Sequence, residues 1–150
     1  MFSIKASLAP YYERYEGVRP IQIFAMRVGY VLVFVTVGNV AWSRILQHEG
    51  GWEPLVAAAV SMWAGSSVLS VLGLIHPLKW LPIVLFEIAY KSIWLVIVAY
   101  PLWSSDQLAG SPAEGLTYAF LWVVVPIVAV PWGYVLRTYV LPFRIARRGV

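Results

Sequence analysis

Residues 81–103, LPIVLFEIAYKSIWLVIVAYPLW, form an apolar run long enough to cross a bilayer, and three further runs of that kind fill most of the chain. They are residues 21–46, 54–75 and 116–142. Each exceeds the about 20 residues that, at about 1.5 Å rise, cross a hydrocarbon core of about 30 Å. Backbone inside lipid has no water to bond to, so only helices and closed barrels span. Barrel strands alternate polar and apolar residues, and these runs do not, which predicts helices.

Composition agrees. The chain is 61% hydrophobic and 12% charged, against about 45–50% and about 25% for soluble domains. The expected fold is an all-α membrane protein, a four-transmembrane-helix antiparallel bundle forming one integral membrane domain over residues 1–150. The connections QHEGGWEP, HPLK and SSDQLAGSP are short and carry turn residues, so sequential helices should be antiparallel neighbours. No repeat or linker divides the chain. The N-terminal MFSIKASLAPYYERYEGVRP lacks the apolar core of a secretory signal, so the first span is expected to serve as the insertion signal.

The net charge of +4 reads as orientation rather than as nucleic-acid binding. Lys5, Arg14 and Arg19 precede the first run, Lys79 lies in the HPLK loop, and Arg144, Arg147 and Arg148 end the chain. The opposite loops hold Glu49, Glu53, Asp106 and Glu114, with Arg44 at a helix end. The positive-inside rule then puts both termini and the HPLK loop in the cytoplasm. Trp42, Trp52, Trp80, Trp103, Trp132 and Tyr139 fall near span ends, as an aromatic belt would. The absence of cysteine removes disulfides, thiol redox chemistry and iron–sulfur ligation. No cofactor is expected: His48 and His76 belong to opposite loops and make no metal site.

Two runs carry structural marks. Ala57, Ser61 and Gly65 recur every fourth residue, with Ser66 and Ser70 on a neighbouring face, and predict the packing seam of the bundle. Pro126 and Pro131 each remove a backbone donor from the last run and predict a kink there.

The unusual chemistry is charge inside the spans. Glu87 lies about 9 Å and Lys91 about 15 Å in from Leu81, and an ionised side chain at a helix centre costs about 2.5–3.5 kcal/mol to insert. Glu ahead of Lys at i, i+4 is the favourable order for an ion pair, so the two should neutralise each other. Arg27 sits at about the same depth as Glu87. If the helices face each other, it can bond the carboxylate bidentately and leave Lys91 partly unpaired. Tyr30 and Tyr90 are near enough in sequence to add hydroxyl partners. Three readings remain open for Arg27, Glu87, Lys91, Tyr30 and Tyr90. The first is a clip between helices, the second a site for an anion or anionic lipid or an ion path, and the third a catalytic role. Thr36 and Asn39 are expected to hydrogen-bond within the bundle.

The run HPLKWLPIVLFEIAYKSIWLVIVAYPLW (76–103), with VPWGYVLRTYV (130–140), resembles a group of small uncharacterised bacterial inner-membrane proteins of four helices. The resemblance implies bacterial origin and inner-membrane residence and carries no activity. That group often has Arg after the Pro-Trp pair, where this chain has Gly133. In architecture alone the chain is similar to four-helix families such as the DoxX-like proteins, which bears on fold and not on function. The function expected first is a non-enzymatic structural or accessory subunit, surrounded by membrane lipids, that self-associates or joins a larger membrane complex. The alternative is a small transporter or anion-binding protein using the charge cluster.

Overall fold

The computed structural model describes residues 15–141. Among these the chain is helical with no strand. Three helices are long and apolar enough to cross a membrane: α1 (Pro20–Leu46), α2 (Pro54–Ile75) and α3 (Leu81–Ser104). Proline occupies the first turn of all three, where a missing N–H costs nothing. At α2 the Glu53 carboxylate also caps the helix, accepting from the amides of Leu55 (3.1 Å) and Val56 (2.7 Å). The last apolar run is two helices, α4 (Glu114–Ala129) and α5 (Trp132–Val140), bent by 72° where they meet. Counted as one broken span they bring the candidate crossings to four. The basic residues Lys5, Arg14, Arg144, Arg147 and Arg148 lie outside the described residues, as does Pro142.

The bend corrects the expectation of one kinked helix over residues 116–142, and its cause is local. Pro131 forces the preceding Val130 out of the helical region, to φ −62° and ψ 130°. It also has no amide for the carbonyl of Ile127, one turn back. The indole Nε1 of Trp132 donates to that carbonyl instead, at 2.8 Å. With its orphaned acceptor satisfied, the break is stable. Pro126 acts more mildly: the Val125 amide turns to Trp122 three residues back, at 3.1 Å, and the helix tightens without parting.

Helix α1 contains a widened π turn at Val33–Val37, where Thr36 also hydrogen-bonds the Leu32 carbonyl at 2.6 Å. The widened turn sets the packing. Tyr30 and Gly38 are eight residues apart, which in a regular helix turns them about 80° out of line. The extra residue of a π turn takes back about 100°. Both therefore face α2: Tyr30 lies on Gly73, and Gly38 lies against Ser67. Farther along, Ala41 packs with Val60 and Ala64. The order of these contacts makes α1 and α2 antiparallel. A second widened turn, Leu95–Ala99 in α3, sits just before Pro101 and gives its ring room against the carbonyl of Ile97.

The α2 seam differs from the expected one. Its buried face is Val60, Ala64, Ser67, Ser70 and Gly73, together with Ser66. Ser66 and Ser70 are thus inside, but Ser61 and Gly65 face outward and Ala57 is only half-buried. The serines are satisfied locally, Ser67 Oγ donating to Ala64 O (2.8 Å) and accepting from Trp42 Nε1 (3.2 Å).

The larger core lies at the other end of α1. Ile23, Met26 and Tyr30 meet Leu81 and Val84 of α3 there, with Tyr134 and Val135 of α5 beneath. The outer surface is greasy: Leu46, Leu55 and Val128 are 80%, 79% and 76% exposed. An outward apolar surface on this scale suits lipid and not water, and fits a multi-pass membrane protein.

Candidate functional site

Helix α3 brings Glu87, Tyr90 and Lys91 together by its own periodicity. Residues three and four apart share a face. Lys91 Nζ lies 2.8 Å from Glu87 Oε2, and the Tyr90 hydroxyl donates to the same oxygen at 2.9 Å. The carboxylate is sealed, its side chain 2% exposed against 14% for Lys91. Both donors meet one oxygen of the buried carboxylate, which is far less costly to bury paired than alone.

Around the pair stand aromatic rings. Lys91 Nζ is 5.7 Å from the centre of the Tyr90 ring and 5.9 Å from that of Phe120 on α4. Both fall within cation–π range. Phe120 is itself held edge-on by Trp94 (5.1 Å), Tyr90 (5.7 Å) and Trp63 (6.5 Å). Three helices therefore meet at Phe120, with α2 supplying Trp63, α3 Tyr90 and Trp94, and α4 the ring itself, which also lies by Lys91. Sequence reasoning missed Phe120, Trp94 and Trp63. An aromatic near a buried lysine is a usable signal, but only once the facing helix is known.

Arg27 is placed elsewhere. Its Nη2 donates to the Tyr15 hydroxyl at 3.1 Å, and no ion pair joins it to Glu87. The expected bidentate contact is absent because the helix face of Arg27 is claimed from another side. The first half of α1 packs on α2 and on residues 124–129 of α4, and Tyr15 reaches the guanidinium from the chain just before the helix. Lys91 is accordingly not left unpaired. Two buried atoms here have no hydrogen-bond partner among the described residues, Arg27 Nε and Glu87 Oε1.

Tyr30 is also separate from the cluster. Fully buried, it donates to the Pro77 carbonyl at 2.9 Å and ties α1 to the α2–α3 turn. Its ring lies so close over Gly73 that a Cβ there would fall within it. The constellation expected from sequence thus divides into three: the Glu87–Tyr90–Lys91 clip, the Arg27–Tyr15 bond and the Tyr30–Pro77 tie. Thr36 bonds its own helix backbone, and the Asn39 carbonyl accepts from Ser43 Oγ at 2.6 Å. No group of three or more His, Asp or Glu side chains with metal-binding proximity occurs among the described residues.

An apolar groove of about 510 Å³ runs between α1 and α4, lined by Ile21, Ala25 and Val124 among others. A more polar one of about 440 Å³ lies between the end of α1 and the start of α2.

No family model matches the chain, and no solved structure matches it. It is similar to the polyprenol-phosphate-mannose-dependent alpha-(1-2)-phosphatidylinositol pentamannoside mannosyltransferase of Mycobacterium tuberculosis (strain CDC 1551 / Oshkosh), at 30% identity over 120 residues. That match takes in 72% of this chain but 27% of the relative, so the chain spans about a quarter of the curated protein it matches.

Proposed function

We propose that this chain is an accessory subunit of a bacterial inner-membrane complex, a four-span antiparallel bundle with both termini cytoplasmic that associates with a second helix through the outward face of α2. The observation that carries the reading is that Ser61 and Gly65 face outward, with Ala57 half-buried beside them. Lipid tails gain nothing from small residues, whereas a partner helix gains close backbone approach and serine hydrogen bonds. Gly65 has open space around it, with nothing within 4 Å of an added Cβ. The interior supports the same reading, since the Glu87–Lys91 charges are taken up by each other and by Tyr90. The relative's name is that of an enzyme that uses lipid-linked mannose, which fits a membrane setting and does not by itself favour the accessory role. Membrane lipids are then the surroundings of the bundle.

The absence of native cysteine makes the test direct. Ser61→Cys and Gly65→Cys should cross-link in native membranes, to a second copy or to a partner chain. Val71→Cys, exposed but about 80° from Ser61 and about 120° from Gly65 around the helix, should not. Gly65→Leu should abolish the Ser61→Cys cross-link while leaving helicity intact. Equal cross-linking at Val71, or none at all, would sink the reading.

A second reading rests on Arg27 Nε, a buried donor with no hydrogen-bond partner among the described residues. Such donors are rare, and an anion or anionic lipid headgroup beside Arg27 would accept from it. An anionic lipid retained through purification by the native chain, and lost by Arg27→Gln, favours this reading over the first.

A further inference from the structure

The loop between α1 and α2 is built more elaborately than a connection requires. Leaving α1 at Leu46, the chain turns through Gly50, whose φ of +87° only glycine adopts without strain. The turn lays His48 flat on Trp52, ring centres 3.6 Å apart and planes 19° from parallel. Trp52 still keeps 36% of its surface exposed. With one face of the indole covered, that exposure belongs to its other face and edge. Beside it lie Arg44 from the last turn of α1 with its C-cap Gln47, and Glu53, the N-cap of α2, with Val56 from its first turn, around the concavity of about 440 Å³. That size is within the roughly 300–1,000 Å³ usual for small-molecule sites.

The chemistry of the lining selects the ligand. Arg44 and Gln47 are donors, and Gln47 is also an acceptor. Glu53 spends one lone pair of each carboxylate oxygen on its cap to Leu55 and Val56 and has one left on each. The formal charges of Arg44 and Glu53 cancel. A phosphate would meet the Glu53 carboxylate, and an ammonium would meet Arg44. A neutral polyol meets neither penalty, because each hydroxyl both donates and accepts. An indole held rigid from behind suits the apolar C–H face of a pyranose. We propose that this concavity binds a neutral hexose unit, free or as the headgroup of a glycolipid. Its position between the ends of two spanning helices suits the second source, since a headgroup in the adjoining leaflet reaches that level. The proposal stands on this loop and does not depend on the association face of α2.

The experiment is saturation-transfer NMR on the full chain in nanodiscs of phosphatidylglycerol. The probes are methyl α-mannoside, inorganic phosphate, and a monoglycosyl diacylglycerol built into the disc. The native chain should transfer saturation to the ring protons of the sugar. Trp52→Ala should weaken that binding roughly tenfold, about what loss of a stacking face removes, and Arg44→Gln should weaken it too. Both side chains are exposed, so circular dichroism should be unchanged; if Trp52→Ala disturbs it, Arg44→Gln carries the test. Transfer seen only with the lipid-borne sugar supports the proposal and identifies the source. Phosphate binding that displaces the sugar and is lost in Arg44→Gln would make this an anion site and overturn it. Binding unaltered by either substitution, or no binding of either sugar probe, would overturn it as well.

Discussion

Removing one member of the Glu87–Lys91 pair should cost very different amounts depending on which is removed. Breaking a buried ion pair costs about 3–5 kcal/mol, chiefly because the survivor is left charged and desolvated. In Lys91→Met the survivor is the Glu87 carboxylate, with Tyr90 as its remaining donor and its side chain 2% exposed. A loss of about 4 kcal/mol is expected. In Glu87→Gln the survivor is Lys91, 14% exposed and lying over the Tyr90 and Phe120 rings. Cation–π contact returns about 0.5–2 kcal/mol, which reduces the expected loss to about 2 kcal/mol. The double change leaves no charge, and Gln still accepts from Tyr90, so it should lose about 2 kcal/mol in all. The coupling is then about 4 kcal/mol, readable from a double-mutant cycle of reversible unfolding in mixed micelles followed by helical circular dichroism. Additive losses would refute a shared network. A greater loss in Glu87→Gln than in Lys91→Met would refute the placement of Arg27, because that order requires Arg27 to lean on the same carboxylate.

Gly73→Ala should destabilise the bundle by about 1–3 kcal/mol in the same assay, because its methyl falls on the Tyr30 ring; Gly65→Ala, with open space around it, should be close to neutral. Pro131→Ala restores a donor for the Ile127 carbonyl and frees the Trp132 indole. Spin labels on α4 and α5 should then move apart as the 72° bend opens, and an unchanged distance would mean that packing of Tyr134 and Val135, rather than proline, holds the angle.

Much of this was legible in the chain, for reasons that can be separated. Long apolar runs announce helices because lipid permits little else, and the Glu87–Lys91 pairing follows from spacing along one helix. The features that were not legible depend on neighbours. The bend at Pro131 was expected, but its size depends on Trp132 capturing a released carbonyl and on α5 entering the core. Two stripes of small residues run along α2, and spacing alone does not say which is inside. The choice went to Ala64, Ser67 and Gly73 because Trp42 and Tyr30 on α1 reach them, and the π turn that lets α1 do so has no hydropathy signature. Depth puts Arg27 level with Glu87, but depth does not say which way a side chain leaves its helix.

The widened turn at Val33–Val37 also bears on how the length of such a chain can drift. A π turn behaves as a single inserted residue, absorbed without disturbing the helix beyond it. Deleting one residue there would restore a regular helix and leave Tyr30 on Gly73 and the old Gly38 on Ser67, both still facing α2. Deleting a residue between Gly38 and Ala41 instead would swing everything beyond it by about 100° and turn Ala41 away from Val60 and Ala64. Relatives of this chain one residue shorter in the first helix should therefore carry their gap at positions 33–37, and the helix would close over it as a healed insertion.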